Sequence, residues 1–342
     1  MFKRNRIFIT IFSIVLFCFT AYVLADTFLI TRVYSQAETV ESSDTEENPG
    51  YTVSATITGD GSPEEAASGE SEDNTQTGDP SDDAQEKTDS DAGTSFSSEK
   101  TVTDTSYQDE NISITLTETE YNGSAVYVAD IKVSDPSYLK TALAQNAYGR
   151  NVTDETSSIA DDADAILAIN GDYYGSQERG YVIRNGVIYR DTAESGQQDL
   201  VIKKDGSFEV IYEDEVSAEG LLADGAVQVL SFGPALVEGG SIQVSENEEV
   251  GRAMSSNPRT AIGIIDDCHY VFVVSDGRTE ESEGLSLYEL AQFMDSLGAE
   301  TAYNLDGGGS STMVFNGQVI NNPTSGHGTN ERKVSDIVYI GC

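Results

Sequence analysis

Residues 303–315, with the sequence YNLDGGGSSTMVF, combine one carboxylate, three consecutive glycines and two hydroxyls between two apolar segments. Glycines lose much conformational entropy on folding, so a run of them is usually kept where the backbone approaches another group closely or adopts φ > 0. The N–H groups of such a loop can form an anion-binding nest, and Asp306 can act as a general acid, a nucleophile or a cation ligand. A tight turn between two strands, capped by the aspartate, explains the same residues. The rest of the chain has to decide between these two interpretations.

A helix is predicted immediately before this loop. Apolar residues recur at helical spacing over residues 287–297. Ser286 and Glu289 stand three positions apart, as in a capping box, and Gly298 is placed to end the helix. The sequence therefore predicts a helix, a strand and the glycine loop in that order.

Strand patterns dominate the chain from about residue 101. Alternating apolar and polar residues predict three hairpins, which turn on Asn122-Gly123, Asn185-Gly186 and Asp205-Gly206. Further strands are predicted at 164–170, 260–265, 270–275 and 335–340, and a short helix at 136–144. Many strands and few helices predict an α+β fold, with a mixed, mostly antiparallel sheet and a few packed helices in a single catalytic domain over residues 101–342.

The N-terminal 30 residues predict a membrane anchor. Residues 7–24 carry no charge, and only Asp26 interrupts the apolar run to residue 30. About 20 apolar residues span a bilayer, and basic residues ahead of the span favour the cytoplasm. We therefore expect a cytoplasmic tail at 1–6 and a transmembrane signal anchor at 7–30, with the remainder outside the cell membrane. A cleaved signal peptide is the alternative.

Residues 31–100 are predicted to be a disordered acidic linker. They are rich in Ser, Thr, Glu, Asp and Gly, and such a segment buries too little apolar surface to fold. Beyond the apolar N-terminal run, Cys268 and Cys342 are the only cysteines, so at most one disulfide can form there, and the sequence leaves its formation open.

The charge distribution excludes one class of partner. The formal net charge is −40, of which residues 1–37 contribute about +3, residues 38–100 about −16 and the remainder about −27. Nucleic acid held by bulk electrostatics requires a basic face, so no nucleic-acid partner is expected. An anionic substrate would need a local arginine site.

Four short stretches place polar residues and glycine at the end of an apolar strand. They are AINGDYYG (168–175), NPRTAIGI (257–264), VVSDGR (273–278) and NLDGGGSST (304–312). Binding residues often lie at strand ends that a rigid sheet supports, so these stretches could converge on one pocket. Ordinary turn chemistry explains each stretch taken singly.

The order and spacing of these stretches resemble the phosphodiester glycosidase family. The resemblance covers roughly residues 112–340 and is strongest over 257–314, where motif, helix and second motif follow in order. It implies hydrolysis of a sugar-1-phosphodiester, which releases a sugar and a phosphomonoester. In a bacterium, cell-surface or exopolysaccharide glycans are the implied substrates.

The resemblance also assigns roles to residues by matching position. Asp306 would be the nucleophile or general base, and Asp172 a base or cation ligand. Asn170 would hydrogen-bond sugar hydroxyls or orient a carboxylate, and Arg259 would grip the phosphate. The implied substrate-binding residues are Gly307, Gly308, Gly309, Ser310, Arg278, Asp276, Tyr173 and His327.

Structural roles stay open for several of these residues. Arg259 could form a strand-end ion pair, and Asp276 and Arg278 could bridge each other. His327 could be a solvated loop residue. The sequence establishes no cofactor, although Asp172 and Asp306 could hold a divalent cation such as calcium.

The alternative function is a non-catalytic glycan-binding or polysaccharide-assembly protein that uses the same pocket. The complete set of polar residues and glycines favours the enzyme. The identity of the sugar, the stereochemical outcome and the oligomeric state are not determined by the sequence.

Overall fold

A computed structural model of the chain describes residues 2–36, 96–246, 256–326 and 328–342. Its α-helices are α1 (Phe2–Phe28), α2 (Thr156–Asp162), α3 (Ala218–Ala223) and α4 (Leu287–Ser296). The first strands are β1 (Arg32–Gln36), β2 (Thr101–Val102), β3 (Ser106–Gln108), β4 (Ile112–Tyr121), β5 (Ser124–Val133), β6 (Leu139–Leu143), β7 (Ala147–Arg150), β8 (Leu167–Asn170), β9 (Val182–Arg184), β10 (Val187–Arg190), β11 (Gln198–Lys203) and β12 (Phe208–Tyr212). The later strands are β13 (Ala226–Leu230), β14 (Ala235–Glu238), β15 (Ser241–Ile242), β16 (Arg259–Asp266), β17 (His269–Ser275), β18 (Thr301–Asn304), β19 (Met313–Phe315), β20 (Gln318–Val319), β21 (Thr324–Ser325), β22 (Gly328–Thr329) and β23 (Asp336–Ile340).

Three larger sheets organise these strands. The largest has nine strands in the order β15-β14-β18-β16-β17-β5-β4-β3-β2. Two five-stranded sheets have the orders β20-β19-β8-β23-β6 and β10-β9-β13-β11-β12. The pairs within them are antiparallel, for example β16 with β17 and β8 with β23. The prediction of an α+β fold with mostly antiparallel strands is confirmed.

The nine-stranded sheet buries both of its faces. Alternate residues of a strand point to opposite faces, and accordingly Ile262 packs in the central core while its neighbour Ala261 packs in a second cluster under α4. The central core also takes side chains from both five-stranded sheets. Strands buried on both faces hold their ends rigidly, which fixes the loops that follow them.

Helix α4 matches its prediction. The Ser286 hydroxyl accepts a hydrogen bond from the Glu289 N–H at 3.2 Å, and the Glu289 carboxylate accepts one from the Ser286 N–H at 2.8 Å, which completes the capping box. Gly298, with φ +83°, follows the helix in the left-handed conformation that glycine favours. The chain then enters β18, which leads directly to Asp306.

The three predicted hairpins form as β4–β5, β9–β10 and β11–β12. The helix predicted at 136–144 is wrong: Pro136–Tyr138 makes one 3₁₀ turn, and β6 follows. Leu139 and Leu143 are buried on one face of β6, because the strand pairs with β23 along its whole length. Alternating burial in a sheet therefore outweighs the local helical preference.

The predicted N-terminal regions are only partly described. Most of the predicted linker lies outside the described residues, but Arg32–Gln36 within it pairs as β1 with β7 and is not disordered. Among the described residues, no helix is long and apolar enough to cross a membrane. Cys268 and Cys342 are free thiols.

Candidate active site

Asn170 connects three of the four predicted stretches. Its side-chain N–H donates to the Asp306 carbonyl at 2.6 Å, and its Oδ1 accepts from the Thr260 hydroxyl at 2.8 Å and the Thr312 N–H at 3.2 Å. Asn170 is fully buried. It therefore holds the strand ends together and is not placed to contact a sugar, so the first of its two predicted roles is not met.

Asp306 lies at the mouth of this convergence. Its side chain is 15% exposed, and its Oδ2 accepts hydrogen bonds from Ser310 Oγ and from the Arg332 guanidinium, both at 2.7 Å. Burial raises the pKa of Asp306, while Arg332 and Ser310 oppose the rise. A partly desolvated carboxylate with a raised pKa has the properties of a catalytic base or nucleophile.

The three glycines allow other groups to approach the loop. A Cβ on Gly307 would lie 2.9 Å from the Pro258 carbonyl oxygen, and one on Gly308 would lie 2.8 Å from Nη2 of Arg278. The Gly308 N–H donates to Pro258 O at 2.8 Å, and the Ser310 N–H donates to Gly307 O at 3.3 Å. The N–H groups of Gly308 and Ser310 are thus engaged within the protein, and the absence of a side chain at Gly308 lets the Arg278 guanidinium approach.

Two guanidinium groups contact this loop from different segments. Arg278 is exposed, and its Nε and Nη2 donate to Asn257 Oδ1 at 3.1 and 2.8 Å. Arg332 is 47% exposed; besides Asp306, it contacts Ser310 Oγ at 2.7 Å and Gly307 O at 3.2 Å. Arg332 was not among the predicted site residues, although its position in the C-terminal ERK sequence is part of the family resemblance.

The backbone of Arg278 adopts φ +64°, which is uncommon for a residue with a side chain. Such a conformation costs of the order of 1 kcal/mol and is often found at functional sites. Within the described residues, Arg278 has no carboxylate at ion-pair distance, so the predicted bridge to Asp276 does not form. Its charge is therefore available to an anionic ligand.

Arg259 is buried, whereas its predicted role requires contact with a substrate phosphate. It is 3% exposed, and its Nε donates to the Leu285 carbonyl at 2.9 Å. Its Cδ would lie 3.9 Å from a Cβ on Gly307, so it supports the loop from beneath. The predicted phosphate grip is better placed on Arg278 and Arg332, whose guanidinium groups reach solvent.

Asp172 is enclosed in a buried ion cluster, formed with Arg184 and Asp336. Arg184 Nη2 lies 2.8 Å from Asp172 Oδ2 and 2.7 Å from Asp336 Oδ2, and these three side chains are at most 1% exposed. The N–H groups of Tyr174 and Ser231 also donate to Asp172, each at 2.9 Å. With both oxygens occupied and no exposure, Asp172 orders the loop next to Asp306 and is not placed to attack a substrate.

Charge and close packing explain this cluster. Burial lowers the pKa of Arg184, but the two carboxylates outweigh it and raise the pKa overall. Burial raises the pKa of Asp336 despite the adjacent guanidinium. Gly171 admits Asp336, because a Cβ there would lie 2.4 Å from Asp336 Oδ1. The strand sequence VIR before a turn gives the one sequence signal for Arg184, a charge at the end of an apolar strand.

Two of the remaining predicted residues differ in burial. Asp276 is buried and accepts from Asn321 Nδ2 at 3.1 Å and the Asn322 N–H at 2.9 Å, so it anchors the segment after β20. Tyr173 is 37% exposed and packs against Phe232, with ring centroids 4.9 Å apart. Only Tyr173 is thus available to a ligand.

Two further predictions concern His327 and a bound cation. His327 lies outside the described residues. Among the residues that the structure describes, no group of three or more His, Cys, Asp or Glu is placed to hold a metal ion. The calcium site suggested at Asp172 and Asp306 stays a prediction without support.

A partly buried carboxylate, a close-packed glycine loop and two exposed arginines thus lie together at the ends of these strands. The sequence model of the phosphodiester glycosidase family matches residues 163–341. The chain belongs to the phosphodiester glycosidase family.

Other proteins are similar in sequence to this chain over part of its length. An uncharacterized SPbeta prophage-derived protein of Bacillus subtilis, YomE, is 31% identical over 198 residues, which cover 56% of this chain and 30% of that protein. Human N-acetylglucosamine-1-phosphodiester alpha-N-acetylglucosaminidase is 31% identical over 216 residues, covering 57% and 41% of the two chains. The chain thus spans less than half the length of these curated relatives.

A solved structure shares the fold. The catalytic domain of the zebrafish N-acetylglucosamine-1-phosphodiester alpha-N-acetylglucosaminidase, auto-inhibited by its pro-peptide, superposes with a TM-score of 0.53. The match is 23% identical and covers 67% of this chain and 82% of that one. At this identity the similarity establishes the fold alone.

Proposed function

We propose that this protein hydrolyses a sugar-1-phosphodiester, with Asp306 acting on the anomeric carbon and Arg278 and Arg332 holding the phosphate. The observation that carries the proposal is a partly buried carboxylate paired with one exposed guanidinium, with a second exposed guanidinium against the same glycine loop. Relatives named for cleavage of an N-acetylglucosamine-1-phosphodiester make that sugar the first candidate.

The chemistry needs few groups. Asp306 either attacks the anomeric carbon and forms a glycosyl ester that water then hydrolyses, or removes a proton from a water molecule that attacks this carbon directly. In both cases the bond from the anomeric carbon to the phosphate oxygen breaks. The electron pair passes to the phosphate, which leaves as a phosphomonoester. A phosphate leaves as an anion without first being protonated, so charge stabilisation by guanidinium groups replaces a general acid. One partly buried carboxylate at the site is then sufficient, which agrees with the enclosed position of Asp172.

The ion pair between Asp306 and Arg332 must open when the substrate binds. An incoming phosphate competes with Asp306 for Arg332, whose side chain is half exposed and can turn toward solvent. Ser310 keeps its own hydrogen bond to Asp306 and maintains the carboxylate orientation. We propose that substrate binding uncouples the carboxylate from Arg332 and prepares it for reaction.

The test is hydrolysis by the full-length protein of UDP-N-acetylglucosamine and of a p-nitrophenyl phosphodiester of α-N-acetylglucosamine, with and without calcium. We expect release of the free sugar, and a loss of about 10³-fold or more in kcat for Asp306→Asn, since a positioned acid–base or nucleophilic group contributes that much. Asp267→Asn, an exposed aspartate in the turn between β16 and β17, is the matched control and should retain full activity.

Two results would contradict this proposal. Full activity in Asp306→Asn would remove Asp306 from the mechanism. Binding of saccharides by the wild-type protein without release of any sugar would favour the non-catalytic glycan-binding alternative.

We further propose that the protein acts outside a bacterial cell, attached to the cell membrane, on cell-surface or exopolysaccharide glycans. This rests on the sequence: basic residues precede an uncharged apolar run, and an acidic segment follows it. Protease treatment of intact cells should degrade the C-terminal part of a membrane-associated protein. Recovery of a shortened protein from the culture medium would instead indicate a cleaved signal peptide.

A further inference from the structure

Glu331 precedes Arg332 in the segment that follows β22, and its carboxylate is bound by helix α2. The Ser157 N–H donates to Glu331 Oε1 at 3.0 Å, and the Ser157 hydroxyl donates to Glu331 Oε2 at 2.5 Å. We propose that Glu331 is a positioning residue, which fixes the backbone beside Arg332 and thereby holds the guanidinium against Asp306. This rests on the proposed function, in which Arg332 holds the phosphate and pairs with Asp306 before the substrate binds.

Helix α2, which carries Ser157, is a fixed support for Glu331. Ile159 of this helix is 2% exposed and packs in one cluster with Val314 of β19 and Ile337 of β23. Ser157 and Glu331 are 174 residues apart in the sequence. Their contact therefore ties the segment before Arg332 to the packed interior of the domain.

The two sides of Arg332 differ in their surroundings. Residues 328–330, which precede Glu331, are exposed. On the other side, Val334 is buried, and its N–H donates to the Asp154 carbonyl at 2.7 Å. Glu331 therefore anchors the segment on the side where the neighbouring residues are exposed.

Arg332 benefits from such an anchor because its own side chain is 47% exposed. An exposed, flexible side chain loses entropy when it is held in one geometry, and an exposed ion pair contributes little stability by itself. An ordered backbone lowers the entropy loss that remains, as it does at preorganised binding sites. The guanidinium then reaches Asp306 Oδ2 and Ser310 Oγ, both at 2.7 Å.

A purely structural role would use the same two hydrogen bonds. The first N–H groups of a helix have no partner within it, and Glu155, at the N-cap of α2, makes no side-chain bond to them. In that case Glu331 would stabilise α2 and have no influence on Asp306. The titration of Asp306 distinguishes the two roles.

The groups near Asp306 determine the direction of the expected change. Charged and titratable side chains adjoin Asp306 or its glycine loop from several segments, namely Arg332, Arg278, Arg259, Asp172 and Tyr173. Arg332 lowers the pKa of Asp306. If Glu331 holds Arg332 in place, Glu331→Ala should raise the pKa of Asp306, because part of the Arg332 effect is lost. If the Glu331 charge acted directly on Asp306, its removal would lower that pKa instead.

Two measurements on the full-length protein test the proposal. One is the acid limb of kcat/KM, and the other, which needs no activity, is the NMR titration of the Asp306 carboxyl carbon, assigned with Asp306→Asn. Glu331→Ala should lower kcat/KM about tenfold and move both titrations to higher pH. Glu331→Gln keeps an acceptor for the Ser157 N–H and gains a donor to its hydroxyl, and should titrate as the wild type does. In the Arg332→Gln background, Glu331→Ala should cause no further shift.

Two other variants separate positioning from general loss of stability. Ser157→Ala removes one of the two hydrogen bonds and should shift the Asp306 titration in the same direction by a smaller amount. Glu289→Ala is the matched control, because Glu289 also accepts a hydrogen bond from a serine N–H at the start of a helix, at 2.8 Å. It should leave the titration of Asp306 unchanged.

The outcomes separate this proposal from the hydrolase. If sugar is released but the Asp306 titration is unchanged or moves to lower pH in Glu331→Ala, the hydrolase stands and the positioning role is refuted. If no phosphodiester is hydrolysed but the NMR titration moves to higher pH, Glu331 positions Arg332 and the hydrolase is refuted. An equal shift in Glu289→Ala would also refute the positioning role.

Discussion

Two clusters of arginine and aspartate adjoin the loop that follows β8, and they differ in burial. In the inner cluster, Arg184 bridges Asp172 and Asp336, and these side chains are at most 1% exposed. In the outer cluster, Arg332 pairs with Asp306, and the arginine side chain is 47% exposed. The same residue types therefore serve structure where water is excluded and, in the proposed function, chemistry where a ligand can enter.

The physical reason is the cost of separating a buried pair. Removing one partner of a buried ion pair leaves an uncompensated charge, whereas exposed pairs are worth about 0–1 kcal/mol because water replaces the partner. A substrate phosphate can thus displace Arg332 from Asp306 at low cost. It cannot displace Arg184 from Asp172 without breaking the fold.

The largest effect that tests this contrast is on stability. Arg184→Met should lower the free energy of unfolding by about 3–5 kcal/mol, because two buried carboxylates lose their countercharge. Arg332→Met removes the outer arginine and should change it by less than about 1 kcal/mol. Urea denaturation of both full-length variants measures the difference, and equal losses would show that the two clusters do not differ in kind.

Substitution of the exposed arginines, which changes stability little, should have a large effect on activity. Arg278→Gln and Arg332→Gln should each reduce kcat/KM by about 10²-fold, the usual effect of removing one group that stabilises developing charge. Lys333→Gln, next to Arg332 and 59% exposed, pairs with Asp154 and is the matched control. Wild-type kcat/KM in both arginine variants would place the phosphate elsewhere.

The pH dependence of the reaction sharpens the role of Arg332. Burial raises the folded-state pKa of Asp306, so its charged form, and with it activity, should be lost as pH falls through a value above the ordinary aspartate range. Arg332 opposes that rise, so Arg332→Gln should move the acid limb of kcat/KM to still higher pH. An acid limb that does not move would mean that another group controls it.

The strand ends and the glycine loop could be predicted from the sequence, because each is encoded in a few consecutive residues. Asn170 and Asp306 follow apolar strands, and the sheet register brings them together as the strand-end pattern suggested. Arg184 and Arg332 could not be placed in this way. Arg184 reaches Asp336, which is 152 residues away, and this contact depends on how β9 packs over the sheet that contains β23.

Besides these long-range contacts, the sequence did not predict how deeply individual charged side chains are buried. Asp172 and Arg259 carry the residue types that catalysis needs and stand in the expected motifs. Their exposures of 1% and 3% result from packing of the adjacent loops, which no local pattern encodes. Residue type and motif therefore identified Asp172, Arg259 and Asp306 as candidates, and long-range topology decided which of them reach solvent.

The smallest predicted effect tests whether glycine is needed at position 308 to make room for Arg278 or only to allow the backbone conformation of the turn. Gly308 has φ +63° and a Cβ there would lie 2.8 Å from the Arg278 guanidinium, whereas Gly317 has φ +75° and no heavy atom within 4 Å of such a Cβ. Alanine at either position carries a similar backbone strain of about 1–2 kcal/mol. Gly308→Ala should in addition displace Arg278 and lower kcat/KM about tenfold, a smaller effect than removal of the guanidinium itself. Steady-state kinetics and denaturation of both variants separate the two effects. Equal kcat/KM in both would confine the glycine loop to a structural role and leave the proposed phosphate contact to Arg332 alone.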